Sequence, residues 1–234
     1  MLVCRRHGQN IFGVIPEFAL SIAKMKNVKD GYDIWSDQYD TNENKTRDLE
    51  HLALRAKLSG IDFDHCLEIG CGTGKNTEWI ISKASHITAV DLSEGMLAKA
   101  KNKIQSEKVN FIQADINAEW DFVKNEKFDL ATFSLILEHI ENLDAVFEKL
   151  YPLMNHNACV YIGELHPFKQ YSGTKARFET EHGVQLLTCF NHHVSDFINA
   201  CKKNAFQIVN IDEHFDNNDR STIPRILTLL FRKQ

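Results

Sequence analysis

The sequence has no C-x-x-C pair, no long apolar run, no repeat, no low-complexity tract and no excess of positive charge. Each absence removes a class of protein. The six cysteines, Cys4, Cys66, Cys71, Cys159, Cys189 and Cys201, are scattered, so no zinc site is expected and most thiols should be reduced and buried. Crossing a bilayer takes about 20 consecutive apolar residues, and no stretch approaches that, so no membrane partner is expected. A formal net charge of -5 speaks against nucleic-acid binding by broad phosphate neutralisation. Arg5 and Arg6 precede the apolar run Ile11, Phe12, Val14 and Ile15, but Pro16 and Glu17 interrupt it and no small-residue cleavage site follows. That pattern argues against a signal peptide and for a cytoplasmic location.

What is present is ordinary globular composition: 234 residues, 43% hydrophobic and 25% charged, suited to one domain with a sizeable core. Val14, Phe18, Ile22 and Met25 recur at helical spacing. The aromatic and acidic stretch Tyr32-Asp33-Ile34-Trp35 to Tyr39-Asp40 follows, then a helix over Leu49–Leu58 ended by Gly60. Strands are expected at about 64–69, 86–90, 109–113, 128–134, 158–163, 206–212 and 225–232, with helical stripes at Met96/Ala100/Ile104, Leu143/Val146/Phe147/Leu150 and Val194/Phe197/Ile198/Cys201. Alternation of this kind builds a mainly parallel sheet with helices on both faces. The last two strands have no helix signal between them, so they should form a hairpin.

The organising stretch is Cys66-Leu67-Glu68-Ile69-Gly70-Cys71-Gly72-Thr73-Gly74, an apolar strand running into three alternating glycines, with a helix expected over Lys75–Ile81. Strand, glycine turn and helix bring backbone amides close to a nucleotide-like ligand. The third glycine of the dinucleotide pattern G-x-G-x-x-G would fall on Lys75, which weighs against a nicotinamide-dependent oxidoreductase. Asp91 ends the next strand, where a carboxylate can accept both ribose hydroxyls. It can equally cap the helix that follows, as can Ser93.

Glu68-x-Gly70-x-Gly72-x-Gly74 resembles the first motif of the class I S-adenosylmethionine-dependent methyltransferases, and Phe128-Asp129 with Leu137-Glu138-His139 is similar to a segment of the ubiquinone and menaquinone methyltransferases. The resemblance implies a Rossmann-like, seven-stranded, mostly parallel sheet with one antiparallel strand, S-adenosyl-L-methionine as cofactor, and a small-molecule methyl acceptor. It implies cofactor contacts from Glu68, Gly70, Cys71, Gly72, Gly74, Asp91 and Leu92, adenine contacts from Asp115 and Ile116, and Ser134 and Leu135 beside the methionine part. Tyr32, Trp35 and Tyr39 would belong to a segment, residues 1–60, that folds over cofactor and substrate. Residues 61–234 would be the core, with a lid insertion at about 164–193 carrying Tyr171, Arg177 and His193. Arg177 suits a carboxylate or phosphate. His139 is the leading candidate for a general base, since imidazole exchanges protons near neutral pH, and His166 is the second. His166, His192 and His193 have metal-ligand chemistry without compact spacing. There is no Asn/Asp-Pro-Pro-Tyr signature for nucleobase amines and no glutamate pair of the protein-arginine type. Expected, then, is methyl transfer to an oxygen or carbon nucleophile by a monomer or homodimer. The rival is a non-catalytic S-adenosylmethionine-binding protein.

Overall fold

The computed structural model describes residues 27–123, 126–180 and 183–234. The helix expected over Val14–Met25, residues 1–13, and Glu181 and His182 of the lid all lie outside them. Helix α1 (Val28–Trp35) starts at Asn27, whose side chain accepts from the Asp30 amide. Helix α2 (Lys45–Leu58) begins four residues before the expected Leu49, because Asn44 caps it by accepting from the Thr46 and Arg47 amides. Strand β1 (His65–Ile69) enters the glycine turn, and α3 (Thr77–Ile80) after it is one short turn, not the longer helix expected over Lys75–Ile81. Strand β2 (His86–Asp91), helix α4 (Glu94–Lys103), β3 (Val109–Gln113) and β4 (Phe128–Ser134) follow. Next come α5 (Leu143–Leu150), β5 (Met154–Leu165), α6 (Pro167–Tyr171), a β6 (Arg177–Thr180) and β7 (Gly183–Leu186) pair, α7 (Val194–Lys203), β8 (Phe206–His214) and β9 (Ile226–Lys233).

The main sheet has the order β3-β2-β1-β4-β5-β9-β8. Strand β9 runs antiparallel to both β5 and β8, and the other pairings are parallel. This is the expected sheet, hairpin included. Strand β5 starts at Met154 rather than 158; exposed His156 and Asn157 mask its periodicity, and Asn157 takes a left-handed φ of 65°. Alternate residues of each strand feed two cores. Leu67, Phe133 and Ile162 face Phe147 of α5 and Phe197 of α7, while Cys66, Ile87 and Tyr161 face Leu54 of α2 and Leu97 of α4. Fully burying a side chain such as Phe133 is worth about 1.5–3 kcal/mol, so this two-sided packing holds the strand ends still.

Strand order reverses between β1 and β4, and open α/β sheets bind ligands at such a switch point, beyond the strand carboxyl ends. A third apolar cluster lies there. Trp35, Met96, Phe178 and Leu187, with Tyr32 and Tyr39 against them, join α1 and α4 to the β6–β7 hairpin, which the sequence reading did not resolve.

Candidate active site

The glycine turn leaves β1 with φ of 76° at Gly70 and 54° at Gly72, a region costly for residues with a Cβ. A Cβ on Gly70 would lie 2.6 Å from Ile136 Cδ1, whereas one on Gly72 meets no atom within 4 Å. Gly72 therefore borders open space, which belongs to a cavity at the ends of β1, β2 and β4. Gly70, Asp91, Leu92, Asp115, Ile116 and Ser134 line one wall. Tyr32, Tyr39, Leu135 and His139 line the other.

Asp91 Oδ2 accepts from the Gly72 amide at 2.8 Å and Oδ1 from the Ser93 amide at 2.9 Å. Desolvation raises its pKa while these backbone donors pull it down. Ser93, not Asp91, supplies the side-chain cap of α4, accepting from Met96 N at 3.1 Å. A carboxylate has about four lone-pair sites, so Asp91 keeps two for a ligand. Asp115 Oδ1 accepts from Asn117 N at 2.9 Å. Glu68 lies buried under the turn, taking the Thr77 hydroxyl at 2.6 Å, and burial pushes its carboxyl up to about 8. Cys71 is buried in the core beside the turn. A Cβ on Gly74 would lie 2.8 Å from Ile104 Cδ1. Neither Cys71, Gly74 nor Glu68 lines the cavity.

Beneath Ser134 is a network that sequence reasoning missed. Asn76 Nδ2 donates to Ser134 Oγ at 3.2 Å and to Glu50 Oε2 at 3.1 Å, and Tyr161 donates to Glu50 Oε1 at 3.1 Å. Burial raises Glu50 to about 7. Glu164, at the end of β5, accepts from Ile136 N at 3.0 Å and Leu137 N at 2.8 Å; burial lifts it well above the carboxylate range. It holds a turn in which Leu135 has φ of 56°, a strained conformation for a branched residue. The only sequence signal for these residues was a glutamate inside an apolar strand.

The second wall centres on His139. Its Nδ1 lies 2.7 Å from the Thr188 carbonyl and its Nε2 2.9 Å from the Tyr32 hydroxyl. A carbonyl can only accept, so Nδ1 carries the proton and the Nε2 lone pair faces Tyr32. Burial first, then Tyr39 and Glu138, pushes the Tyr32 phenol well above its ordinary range, so Tyr32 stays protonated and donates to Nε2. Two aspartates fasten this wall to the core. Asp33 Oδ1 accepts from Ser93 Oγ at 2.6 Å and Gly95 N at 3.0 Å, and Asp40 accepts from Thr73 Oγ1 at 2.5 Å and Lys103 Nζ at 2.7 Å. Between them Trp35 stacks on Tyr32 and Phe178 at 5.6 and 5.3 Å.

Not every candidate reaches the cavity. His166 is buried elsewhere, its Nε2 3.0 Å from Glu213 Oε1 and its Nδ1 accepting from Phe168 N at 3.2 Å. Tyr171 and His193 bond each other at 2.6 Å on the surface, and His192 Nε2 donates to the Ile140 carbonyl at 2.7 Å. His166, His192 and His193 are thus spent on separate partners. Arg177 lines a second cavity, contiguous with the first through Tyr32, Tyr39 and Leu135.

Residues 66–157 match a protein family described as a methyltransferase domain. A ubiquinone biosynthesis O-methyltransferase of Glaesserella parasuis is 27% identical over 119 residues, 48% of this chain and 50% of that protein. A malonyl-[acyl-carrier protein] O-methyltransferase of Priestia megaterium is 37% identical over 118 residues, 48% of this chain and 42% of that protein. The chain spans about half the length of these curated relatives. Among solved structures, the N-methyltransferase NodS of Bradyrhizobium japonicum, in complex with S-adenosyl-L-homocysteine, superposes with a TM-score of 0.67 at 17% identity, covering 89% of this chain and 99% of that one. An S-adenosylmethionine-dependent methyltransferase of Mesorhizobium loti gives 0.64 at 20% identity, covering 78% and 96%.

Residues 66–157 are thus similar to a methyltransferase domain, and the fold is shared with S-adenosylmethionine-dependent methyltransferases. The cofactor of the methyltransferases the chain resembles, S-adenosylmethionine, fits the residues present. The opening at Gly72 leaves room for a ligand against the backbone, Asp91 has acceptor capacity to spare, and apolar and polar groups converge on the cavity as they do in ligand sites. No helix among the described residues is long and apolar enough to cross a membrane.

Proposed function

We propose that this methyltransferase moves the methyl group of S-adenosylmethionine to a small anionic acceptor, through an oxygen nucleophile in the first instance and an acidic carbon in the second. The observation that carries the reading is His139, whose Nδ1 is committed to the Thr188 carbonyl while its Nε2, through the Tyr32 hydroxyl, faces the cavity. In this reading Asp91 binds the ribose hydroxyls, Asp115 and the Ile116 amide bind the adenine, Gly70 and Gly72 give the cofactor room, and Ser134 and Leu135 flank its methionine part. When bound, the cofactor supplies a methyl group on a sulfonium, whose departure needs no acid.

The chain's own tasks are then alignment and deprotonation. Holding the acceptor in line with the methyl group is worth several kcal/mol on its own. His139 Nε2 takes the proton of the acceptor hydroxyl, either directly after Tyr32 yields its place or through the Tyr32 hydroxyl. The Nδ1–H stays on the Thr188 carbonyl, which stabilises the imidazolium. Tyr32, Trp35, Tyr39 and Phe178 close the site against water, so the segment around α1 and the β6–β7 hairpin serve as its cover.

The acceptor's charge follows from the second cavity. Lys45, Lys175 and Arg177 line it, and none of them makes an ion pair among the described residues. Arg225, on the same wall, is already committed to Asp216 with two bonds of 2.6 Å. A carboxylate or phosphate on the acceptor would meet these free cations while its hydroxyl points to His139. The curated relatives are named O-methyltransferases, which makes oxygen the first nucleophile to try. The test is transfer of labelled methyl from S-adenosylmethionine to paired hydroxylated compounds with and without a carboxylate. The reading expects at least tenfold higher kcat/KM for the carboxylated member, lost in Arg177→Ala with Lys175→Ala; equal rates for the pair would remove the anionic acceptor.

A further inference from the structure

At the opposite end of the sheet, three ligand-type side chains converge that methyl transfer does not use. His65 opens β1, His86 opens β2, and the two are register partners across the parallel pair, so their imidazoles project side by side with ring centroids 4.8 Å apart. Glu126 arrives from the segment leading into β4. One donor atom from each of the three lies within 4.8 Å of the others. We propose that His65, His86 and Glu126 form a binding site for a divalent transition-metal cation of the zinc type, clipping together the starts of β1 and β2 and the approach to β4.

The geometry of His65 carries this inference furthest. Its Nε2 is buried and has no hydrogen-bond partner among the described residues, although Glu126 Oε2 is 3.4 Å away. A buried imidazole nitrogen left without a partner is costly. A tetrahedral zinc with ligands at about 2.0–2.1 Å separates neighbouring donor atoms by about 3.3 Å, so His65 Nε2 and Glu126 Oε2 already stand at the edge length of such a site. One outer support is present as well. Thr88 Oγ1 donates to Glu126 Oε2 at 3.0 Å. Hydrogen bonds of this kind orient metal-binding histidines and carboxylates. His86 is exposed and gives the cation its way in, with water as fourth ligand.

The test is a titration of the tag-free full chain, stripped with chelator, by calorimetry with Zn²⁺ and by visible absorption with Co²⁺. One equivalent should bind, with the absorption of tetrahedral cobalt, and saturating zinc should raise Tm by several degrees. His86→Gln and Glu126→Gln, both at residues outside the core, should each weaken binding at least tenfold and abolish the Tm rise. Thr88→Val should weaken it less, and Cys189→Ser should not change it. Binding no tighter than millimolar, or binding equally strong in His86→Gln and Glu126→Gln, overturns the proposal. So does binding lost in Cys189→Ser, since that would assign the metal to the Glu138, His139 and Cys189 group.

Discussion

The two walls of the central cavity are built in opposite ways. The wall of Gly70, Gly72, Asp91 and Asp115 consists of strand ends and the turns that leave them, fixed by a sheet with core on both faces. The wall of Tyr32, Tyr39 and His139 is assembled from segments far apart in sequence: Tyr32 lies 107 positions from His139 along the chain, and Thr188 lies 49 positions beyond it. The first wall is a property of local sequence and the second of tertiary packing. In the proposed function the two walls take different work: a fixed floor suits an invariant ligand, and a tied-on cover suits the acceptor and the exclusion of water.

The sharpest way to break this comparison is to remove one group from each wall. Asp91→Ala should cost at least a hundredfold in affinity for S-adenosylhomocysteine, since a carboxylate accepting two hydroxyls is lost in a mostly buried site. Gly72→Val should do the same by placing a branched side chain at φ 54° in the ligand's space; calorimetry reads both, with circular dichroism to show an intact fold. Wild-type affinity in Asp91→Ala would make the floor assignment wrong. His139→Ala should instead leave that affinity within about threefold while lowering kcat by about 10²–10⁴, the usual worth of a general base. His166→Gln, at a histidine held by Glu213 away from the cavity, should change kcat by less than about threefold. Equal losses in His139→Ala and His166→Gln would mean that the tied-on wall holds structure rather than the proton.

What was legible in the sequence divides along the same line. All seven strands of the main sheet and the glycine turn, Asp91 and Asp115 were readable because strand period, turn residues and strand-end acids lie within a few residues of each other. His139 was readable only by its motif, and its tautomer depends on Thr188, which no spacing reveals. His166, Tyr171 and His193 resembled a site because they cluster in the sequence, yet burial against Glu213 and surface pairing draw them away. Asp33 and Asp40 stood out only as members of an aromatic and acidic stretch, because their partners, Ser93, Gly95, Thr73 and Lys103, are brought near only by folding.

A milder effect tests how the cover is held. Trp35→Ala removes a buried ring stacked on Tyr32 and Phe178 and should raise the acceptor KM about tenfold while lowering Tm by several degrees, with cofactor affinity changed less than acceptor affinity. A larger loss of cofactor affinity would merge the two walls into one.

The smallest expected effect concerns the floor's support. Burial raises the carboxyls of Glu50 and Glu68 to about 7 and about 8, against an ordinary 4.5. A carboxyl raised on folding makes the folded state bind more protons than the unfolded one, so its stabilisation is complete below about pH 4.5 and is lost as pH rises through 7 and 8. Glu68→Gln keeps an acceptor for Thr77 without the titration. Its Tm relative to wild type should therefore rise between pH 5.5 and pH 8.5, by a few degrees. A difference that stays flat with pH would show that Glu68 is not held protonated beneath the turn.

The most direct test of the central claim, that the floor is a cofactor site, is calorimetric titration of the purified chain with S-adenosylmethionine and S-adenosylhomocysteine. The account predicts one site per chain with micromolar affinity for both, and no comparable binding of nicotinamide dinucleotides. Folded protein that binds neither would contradict it.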